Sequence, residues 1–333
     1  MILTNRSRTL SAVIFAAVTL ASAAASAQTK LDMVAFGGTS NLPIWIAIDR
    51  GLFAKEGIEI KLDQTGGSSE QMKDVMAGKY GLASTSVDNI IAYHEGQATT
   101  NYDGYDLIGV GGVSSVASTV VARPEIKGFA DLKGKNAAVD SPSSGFGFVL
   151  YKILEMNGLK KDQDYKVVSV GGGPARLNAL KDSKAMVAVI SPPNDIEAKN
   201  LGYTMLADVA KTLGGYQASV YAVKKSWAAT REKEIVAWMR GLIAGHDYVF
   251  ANKADSIAVL KSRVKNLSDA DAETIYASLV NPDSGLNRKA VINEAGLKAV
   301  LNLRGEYGTP KKALGDASKY IDLSYHKKAL AGM

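Results

Sequence analysis

Short polar turns are the residues of this sequence whose types and spacing could carry chemistry. Each follows a strand-like run and precedes a helix-like run: Ser68-Ser69, Ser84-Thr85-Ser86, Ser141 to Gly145, Gly171 to Gly173, and Ser191 to Asn194. The first turn of a helix leaves N–H groups unpaired and carries about half a positive charge, which stabilises an anion or a polar solute. N-capping explains any one turn by itself. As a set at the ends of parallel strands, the turns predict a ligand-binding cleft.

The sequence lacks the residue patterns of the common catalytic sites. It has no Gly-x-Ser-x-Gly nucleophile elbow. Its three histidines, His94, His246 and His326, lack the i, i+4 spacing that places two imidazoles on one metal ion. It has no cysteine, which excludes a cysteine nucleophile and a thiolate metal site. We therefore expect a protein that is not an enzyme and that has no cofactor and no metal ion.

The stretches between the turns alternate between strand and helix patterns. Ile58, Ile60 and Leu62 alternate with charged residues, which predicts a strand. A helix pattern begins at Ser68 and ends at Gly78, where a glycine can adopt the left-handed conformation of a helix end. The C-terminal part of the chain is almost entirely helical in pattern. The sequence therefore predicts an α/β fold of mainly parallel sheets flanked by helices, followed by a helical C-terminal part.

Residues 1–27 have the features of an export signal that is removed from the mature protein. Arg6 and Arg8 are basic, Ala12 to Ala21 is apolar, and Ala25-Ser26-Ala27 fits the small-residue cleavage rule. The apolar run is too short for a membrane span of about 20 residues. The two arginines leave with the signal, so 37 of the 39 basic residues remain against 33 acidic ones. This charge of +4 is spread along the chain, which argues against a nucleic-acid partner.

Several motifs in the first two thirds of the chain resemble those of one protein family. Pro43-Ile44-Trp45-Ile46-Ala47, Gly51-Leu52-Phe53 and Glu56-Gly57-Ile58 are similar to the opening motif of periplasmic solute-binding proteins of the nitrate/sulfonate/taurine and thiamine-pyrimidine-precursor (NMT1/THI5-like) group. Further similar motifs are Gly66-Gly67-Ser68, Ala77-Gly78-Lys79, Asp131-Leu132-Lys133-Gly134-Lys135 and Pro192-Pro193. The resemblance covers residues 31–225.

The resemblance implies a two-lobed periplasmic binding protein of type II. Two crossing strands would join the lobes, and a small polar or anionic solute would be captured between them by hinge closure. Lobe one would comprise residues 28–118 and 222–333, with the helical C-terminal part packed on it, and lobe two residues 119–221. The protein would be a periplasmic monomer that delivers its solute to the membrane permease of an ABC importer.

The resemblance also implies, position by position, which residues line the cleft. From lobe one they are Thr39, Ser40, Asn41, Trp45, Ser68, Ser84, Thr85 and Asp88; from lobe two they are Ser143, Ser144, Phe146, Gly172, Arg176 and Asn194. Trp45 and Phe146 would be stacking surfaces, and Arg176 would bind a carboxylate or a sulfonate. Trp45 could equally pack its own helix. Asp88 would face an amine or a ring N–H, so the charge of the solute stays open.

Three interpretations remain open from the sequence. The chain could bind a sulfonate, a nitrate, a carboxylate or a pyrimidine-like solute for import. It could be a periplasmic enzyme on the same fold, or a sensory subunit that presents the solute to a membrane kinase. Gly81, Ser183 and Met186 depart from the residues that family members often carry at these places, so no single relative identifies the solute.

Overall fold

The computed structural model describes residues 28–115 and 118–333. The predicted export signal, residues 1–27, lies outside the described residues. Within the described part, none of the helices combines the length and the apolar character that crossing a membrane requires.

The described chain forms two sheets of five strands each. The strands are β1 (Thr29–Phe36), β2 (Ile58–Thr65), β3 (Leu82–Ser86), β4 (Leu107–Ser115), β5 (Thr119–Ala122), β6 (Lys135–Val139), β7 (Tyr165–Ser169), β8 (Val187–Ile190), β9 (Thr204–Asp208) and β10 (Gln217–Lys224). The first sheet has the order β2-β1-β3-β10-β4 and the second has the order β7-β6-β8-β5-β9. In each sheet one strand runs antiparallel to both of its neighbours: β10 in the first sheet and β5 in the second. The two sheets therefore share one mainly parallel topology, as predicted.

Helices flank both sheets and make up most of the C-terminal part. They are α1 (Leu42–Asp49), α2 (Leu52–Lys55), α3 (Ser68–Met76), α4 (Val87–His94), α5 (Gly145–Met156), α6 (Gly173–Lys181), α7 (Asn194–Asn200), α8 (Val209–Leu213), α9 (Lys225–Ala228), α10 (Glu232–Ala251), α11 (Lys253–Arg263), α12 (Asp269–Leu279), α13 (Glu294–Tyr307) and α14 (Ser324–Ala331). We call the first sheet with its helices lobe one, and the second sheet with its helices lobe two. The predicted α/β class and two-lobed architecture are thus confirmed.

Local sequence patterns account for these elements. In β2, Ile58 and Ile60 are buried while the charged residues that follow each of them, Glu59 and Lys61, are exposed, as expected for a strand with one face on the core. In α3, Met72 and Val75 share one buried face. The chain beyond α3 turns at Gly78, whose φ of 78° is the left-handed conformation that glycine adopts without strain.

The chain crosses between the lobes twice. It leaves lobe one after β4 and enters lobe two at β5, four residues beyond Ser115. It returns through α8 to β10, which pairs with β3 and β4 of the first sheet. Because β10 begins at Gln217, the boundary that we predicted between residues 221 and 222 falls inside this strand. The return to lobe one therefore occurs between α8 and Gln217.

The C-terminal helices pack mainly on lobe one. In α10, one face is fully buried and consists of Ile235, Trp238, Met239, Leu242 and Ile243. This helix packs against α1, α2 and α14. Helix α13 packs against both α4 of lobe one and α5 of lobe two. This helix of the C-terminal part therefore spans both lobes.

Glycines in β4 allow the C-terminal part to lie directly on this strand. A Cβ on Gly112 would lie 2.5 Å from the backbone oxygen of Val291, which is far inside van der Waals contact. Gly109 donates its N–H to the backbone oxygen of Tyr320 at 2.8 Å. Side chains at these positions would separate the strand from the segments that cover it.

Candidate functional site

A cavity of about 380 Å³ lies between the two sheets. Parallel strands of both lobes point their carboxyl ends at it, because residues at or just beyond the ends of β1, β2, β3, β6 and β8 line its wall. Ten serine and two threonine residues contribute to the lining, so the wall offers many hydroxyl donors and acceptors. Phe36, Phe146 and Leu279 add apolar surface. The volume suits a small molecule.

Six helices start at this cavity. The helices α1, α3, α4, α5, α6 and α7 each have a lining residue in the first turn or just before it: Ser40, Ser68, Ser86, Ser144, Gly173 and Asn194, respectively. In α5 the serine at the N-cap accepts a hydrogen bond from the N–H of Gly147 at 3.2 Å. Because the positive ends of helix dipoles converge here, the cavity favours negative charge.

Arg176 supplies the cationic side chain of the cavity wall. Its Nε donates to the backbone oxygen of Val189 at 2.9 Å, and Nη1 donates to that of Gly171 at 3.4 Å. Its guanidinium lies 5.7 Å from the centre of the Phe146 ring. Burial lowers the pKa of Arg176, and the negative charge of Asp140 acts in the opposite direction. These contacts hold the guanidinium in place, and within residues 28–115 and 118–333 Nη2 donates no hydrogen bond.

Asp140 is a residue of lobe two that lines the cavity and faces lobe one. It follows the last residue of β6, and its Oδ2 accepts a hydrogen bond from Ser68 Oγ of lobe one. Ser68 Oγ in turn accepts a hydrogen bond from Asn89 Nδ2 at 3.3 Å. Asn89 also donates to Thr85 Oγ1 at 3.2 Å. A chain of polar side chains therefore runs from the interior of lobe one across the cleft to lobe two.

Further hydrogen bonds join the lobes directly. The N–H of Gly172 donates to the backbone oxygen of Gly66 at 3.2 Å. Thr39 Oγ1 donates to the backbone oxygen of Pro192 at 3.3 Å. Since each bond links a residue of lobe one to a residue of lobe two beside the cavity, this is the closed arrangement of the two lobes.

Eight of the predicted cleft residues line the cavity. They are Thr39, Ser40, Ser68, Ser144, Phe146, Gly172, Arg176 and Asn194. Ser68, Ser144, Gly172 and Asn194 lie at the polar turns that the sequence pattern identified, and the other four were implied by the family resemblance. Their contact with a solute stays a prediction.

Trp45 and Asn41 do not line the cavity. Trp45 is buried in α1 against Ile46, Val249 and Tyr276, so it packs its own helix against the C-terminal helices. Asn41 Nδ2 donates to the backbone oxygen of Phe36 at 2.7 Å, which turns its side chain into the fold. Stacking of a solute on Trp45 has no geometric support, because the ring has no face on the cavity.

Asp88 and its neighbours are also directed away from the cavity. Asp88 is paired with Arg304 inside the protein. Ser84 and Thr85 are buried in β3, below the end of the strand. Ser143 Oγ lies 3.0 Å from Thr99 Oγ1, on the outside of the turn before α5. The amine or ring N–H that we predicted opposite Asp88 therefore has no place beside it, because Arg304 already occupies that position.

Other lining residues were not among the predicted cleft residues. Asp140 follows β6 directly, and Ser86 is the last residue of β3 and belongs to a polar turn identified in the sequence, so the strand-end rule could have found both. Ser114 lies near the end of β4, and Ser118 lies just before β5. Leu279, Ser284 and Gly285 come from α12 and the loop after it. No sequence pattern connects this distant segment to the strand ends, and only the packed structure brings it to the wall.

The described residues contain no group of three or more His, Asp and Glu side chains that could hold a metal ion. The described part of the cavity wall offers hydroxyl groups, N–H groups, the guanidinium of Arg176 and the carboxylate of Asp140.

Comparison with known proteins agrees with this architecture. The sequence matches the family described as NMT1/THI5 like over residues 39–256. No curated protein matches it. Among solved structures, the alkanesulfonate-binding protein SsuA from Xanthomonas axonopodis pv. citri bound to MOPS is 18% identical and covers 87% of this chain and 95% of its own, with a TM-score of 0.67.

Two further structures have the same fold. The periplasmic nitrate-binding protein NrtA from Synechocystis PCC 6803 is 12% identical and covers 92% of this chain and 89% of its own, with a TM-score of 0.76. A protein from Bordetella bronchiseptica RB50 is 19% identical and covers 92% of this chain and 98% of its own, with a TM-score of 0.74. At these identities the similarity establishes the shared fold.

Proposed function

This chain belongs to the NMT1/THI5-like family, and on that premise we propose that it is the solute-binding component of an ABC import system. It captures a small anionic solute in the cavity between its lobes and delivers it to a membrane permease. It does so as a periplasmic monomer from which residues 1–27 have been removed. The nitrate-binding and alkanesulfonate-binding proteins that share its fold support a solute of this class.

The convergence of six helix starts and one guanidinium on a single cavity carries this proposal. Each helix start presents N–H groups with a partial positive charge, and Arg176 adds a full charge together with the N–H groups of its Nη2. Between two protein walls the effective dielectric constant is lower than in bulk water, so these interactions are stronger than on an exposed surface. An anion therefore matches the wall better than a neutral ring compound does.

Hinge closure supplies the capture step. Lobe motions of this kind occur on the microsecond to millisecond scale and turn about short connecting segments. Here the connections are the segment between β4 and β5 and the segment between α8 and β10. The bonds from Gly172 to Gly66 and from Thr39 to Pro192 form only when the lobes meet. Opening would break them and expose the cavity.

The wall supports binding rather than catalysis. Its hydroxyl and N–H groups hydrogen-bond an anion without forming or breaking a covalent bond. Turnover of a bound solute, followed by chromatography of the solute before and after incubation, would instead favour the enzyme interpretation. Pulldown of a membrane kinase instead of a permease would favour the sensory one.

A thermal-shift screen of residues 28–333 tests the proposed function. The panel contains nitrate, methanesulfonate, bicarbonate, benzoate and neutral pyrimidines, and the protein is first unfolded and refolded to remove any co-purified solute. A ligand at 100 times its dissociation constant adds about 2.7 kcal/mol of stability, which the assay detects. We expect stabilisation by a monoanion. A shift with pyrimidines alone, or no shift with any anion, would contradict an anion site.

A further inference from the structure

Asp140 places a fixed negative charge in a cavity whose other features favour anions. Among the described residues that line this cavity, Asp140 and Arg176 are the charged ones, and their formal charges cancel. Both come from lobe two, on the segments that follow β6 and β7. A bound solute therefore adds its charge to a wall that has no net formal charge.

The hydrogen bonds around Asp140 have a defined direction. The amide nitrogen of Asn89 is a donor only, so Ser68 Oγ accepts from it and donates its own hydrogen to Asp140 Oδ2. An ionised carboxylate accepts hydrogen bonds and donates none. In this chain of hydrogen bonds Asp140 therefore acts as the acceptor.

Asp140 also occupies the positive end of a helix. Helix α3 begins at Ser68, and Asp140 Oδ1 lies 3.3 Å from the position that a Cβ on Gly67 would take. Negative groups are stabilised at a helix N-terminus. In the closed arrangement Asp140 is thus an internal anion, supplied by lobe two and held at the start of α3 in lobe one.

We propose that Asp140 restricts the cavity to solutes that carry a single negative charge. This inference rests on the proposed anion-binding function and specifies the class of anion. A monoanion is stabilised by Arg176 and by the helix starts that Asp140 leaves free. A second negative charge would share the cavity with Asp140, and like charges repel more strongly at the lower dielectric constant between two protein walls than in bulk water. Dianions are therefore rejected.

Isothermal titration at pH 8 and constant ionic strength tests the inference with methanesulfonate and sulfate. The two ions share a tetrahedral sulfur and differ by a methyl group in place of a charged oxygen. We expect the wild type to bind methanesulfonate at least 100-fold more tightly than sulfate. Asp140→Asn removes the charge, and its side-chain oxygen can still accept from Ser68. We expect this variant to reduce the ratio of the two dissociation constants at least tenfold.

Two further variants distinguish the effect of the Asp140 charge from the effects of its location in the cavity and of its hydrogen bond to Ser68. Asp182→Asn removes an exposed carboxylate of lobe two that is paired with Lys184, and it should leave the ratio unchanged. Asp140→Ala removes the hydrogen bond from Ser68 as well as the charge. Compared with Asp140→Asn, it should therefore weaken the binding of methanesulfonate and of sulfate by the same factor. An unchanged ratio in Asp140→Asn, or equal binding of the two ions by the wild type, would overturn the inference while leaving the anion site intact.

The same titrations distinguish the inference from its premise. If another monoanion of the panel binds in place of methanesulfonate, sulfate is compared with that ion. If no monoanion binds either the wild type or Asp140→Asn, the proposed function fails, and the inference fails with it.

Discussion

Asp88 and Arg304 form a two-point ion pair inside the protein, with side chains that are 1% and 0% exposed. Arg304 Nε donates to Asp88 Oδ1 at 2.8 Å, and Nη2 donates to Oδ2. The same Nη2 donates to the backbone oxygen of Ser143 at 2.8 Å. Arg304 on α13 therefore holds both α4 of lobe one and the turn before α5 of lobe two.

We expect Asp88→Ala to lower the free energy of unfolding by about 3–5 kcal/mol, because it leaves a buried guanidinium without its counter-charge. Urea unfolding measures the effect. The matched control is Asp49→Ala, whose partner Arg263 is partly exposed and whose loss should cost about 1 kcal/mol or less. The double variant Asp88→Ala/Arg304→Met should recover part of the loss. Equal costs for Asp88→Ala and Asp49→Ala would contradict a structural role for the buried pair.

We expect Arg176→Met to weaken binding of the monoanion at least tenfold. A hydrogen bond to a charged group contributes about 1.5–3 kcal/mol, and about 1.4 kcal/mol corresponds to tenfold in affinity. Isothermal titration measures the change, and circular dichroism checks the fold. Arg231→Met is the control, since Arg231 lies over the Trp227 ring and does not line the cavity. The same loss in both variants, or none in Arg176→Met, would remove Arg176 from the site.

We expect Gly172→Val to hinder closure of the lobes. A Cβ on Gly172 would lie 3.1 Å from the backbone oxygen of Gly66, which leaves no room for a branched side chain when the lobes meet. Gly128→Val is the control, because no atom lies within 4 Å of the Cβ position at Gly128. Small-angle scattering should show contraction on solute binding for the control only. Both variants should keep the melting temperature of the solute-free wild type, and normal contraction of Gly172→Val would refute this steric block.

Asp195 should make stability depend on pH. Burial raises the pKa of Asp195 from 3.8 to about 6, although a hydrogen bond from its neighbour Ile196 acts in the opposite direction. The pKa of Asp195 is higher in the folded state than in the unfolded state. Its contribution to the free energy of unfolding is therefore fully present below about pH 4 and is lost as the pH rises through 6.

The variant Asp195→Asn carries no charge at any pH. Relative to the wild type, its free energy of unfolding should therefore rise by on the order of 3 kcal/mol between pH 4 and pH 7, so the variant becomes the more stable protein at the higher pH. Urea unfolding at several pH values measures this difference. A constant difference between Asp195→Asn and the wild type would contradict the raised pKa.

Local patterns in the sequence determined the fold class and most of the turns at the cavity. The alternation in β2, the glycine after α3 and the serine that caps α5 are read from neighbouring residues, because strand and helix periods act over a few positions. The strand-end rule then placed Ser68, Ser144 and Asn194 at the wall. It did so because parallel strands must bring their carboxyl ends to one edge.

The tertiary structure alone decided the partners of residues that lie far apart in the chain. Asp88 meets a guanidinium 216 residues away, which converts a predicted solute contact into a link between the lobes. Trp45 packs against the C-terminal helices, and Ser284 reaches the cavity from the loop after α12. These outcomes depend on how helices that come after the second crossing fold back over lobe one. The pattern of each segment specifies its buried face, but the segment that covers that face is selected only when the whole chain packs.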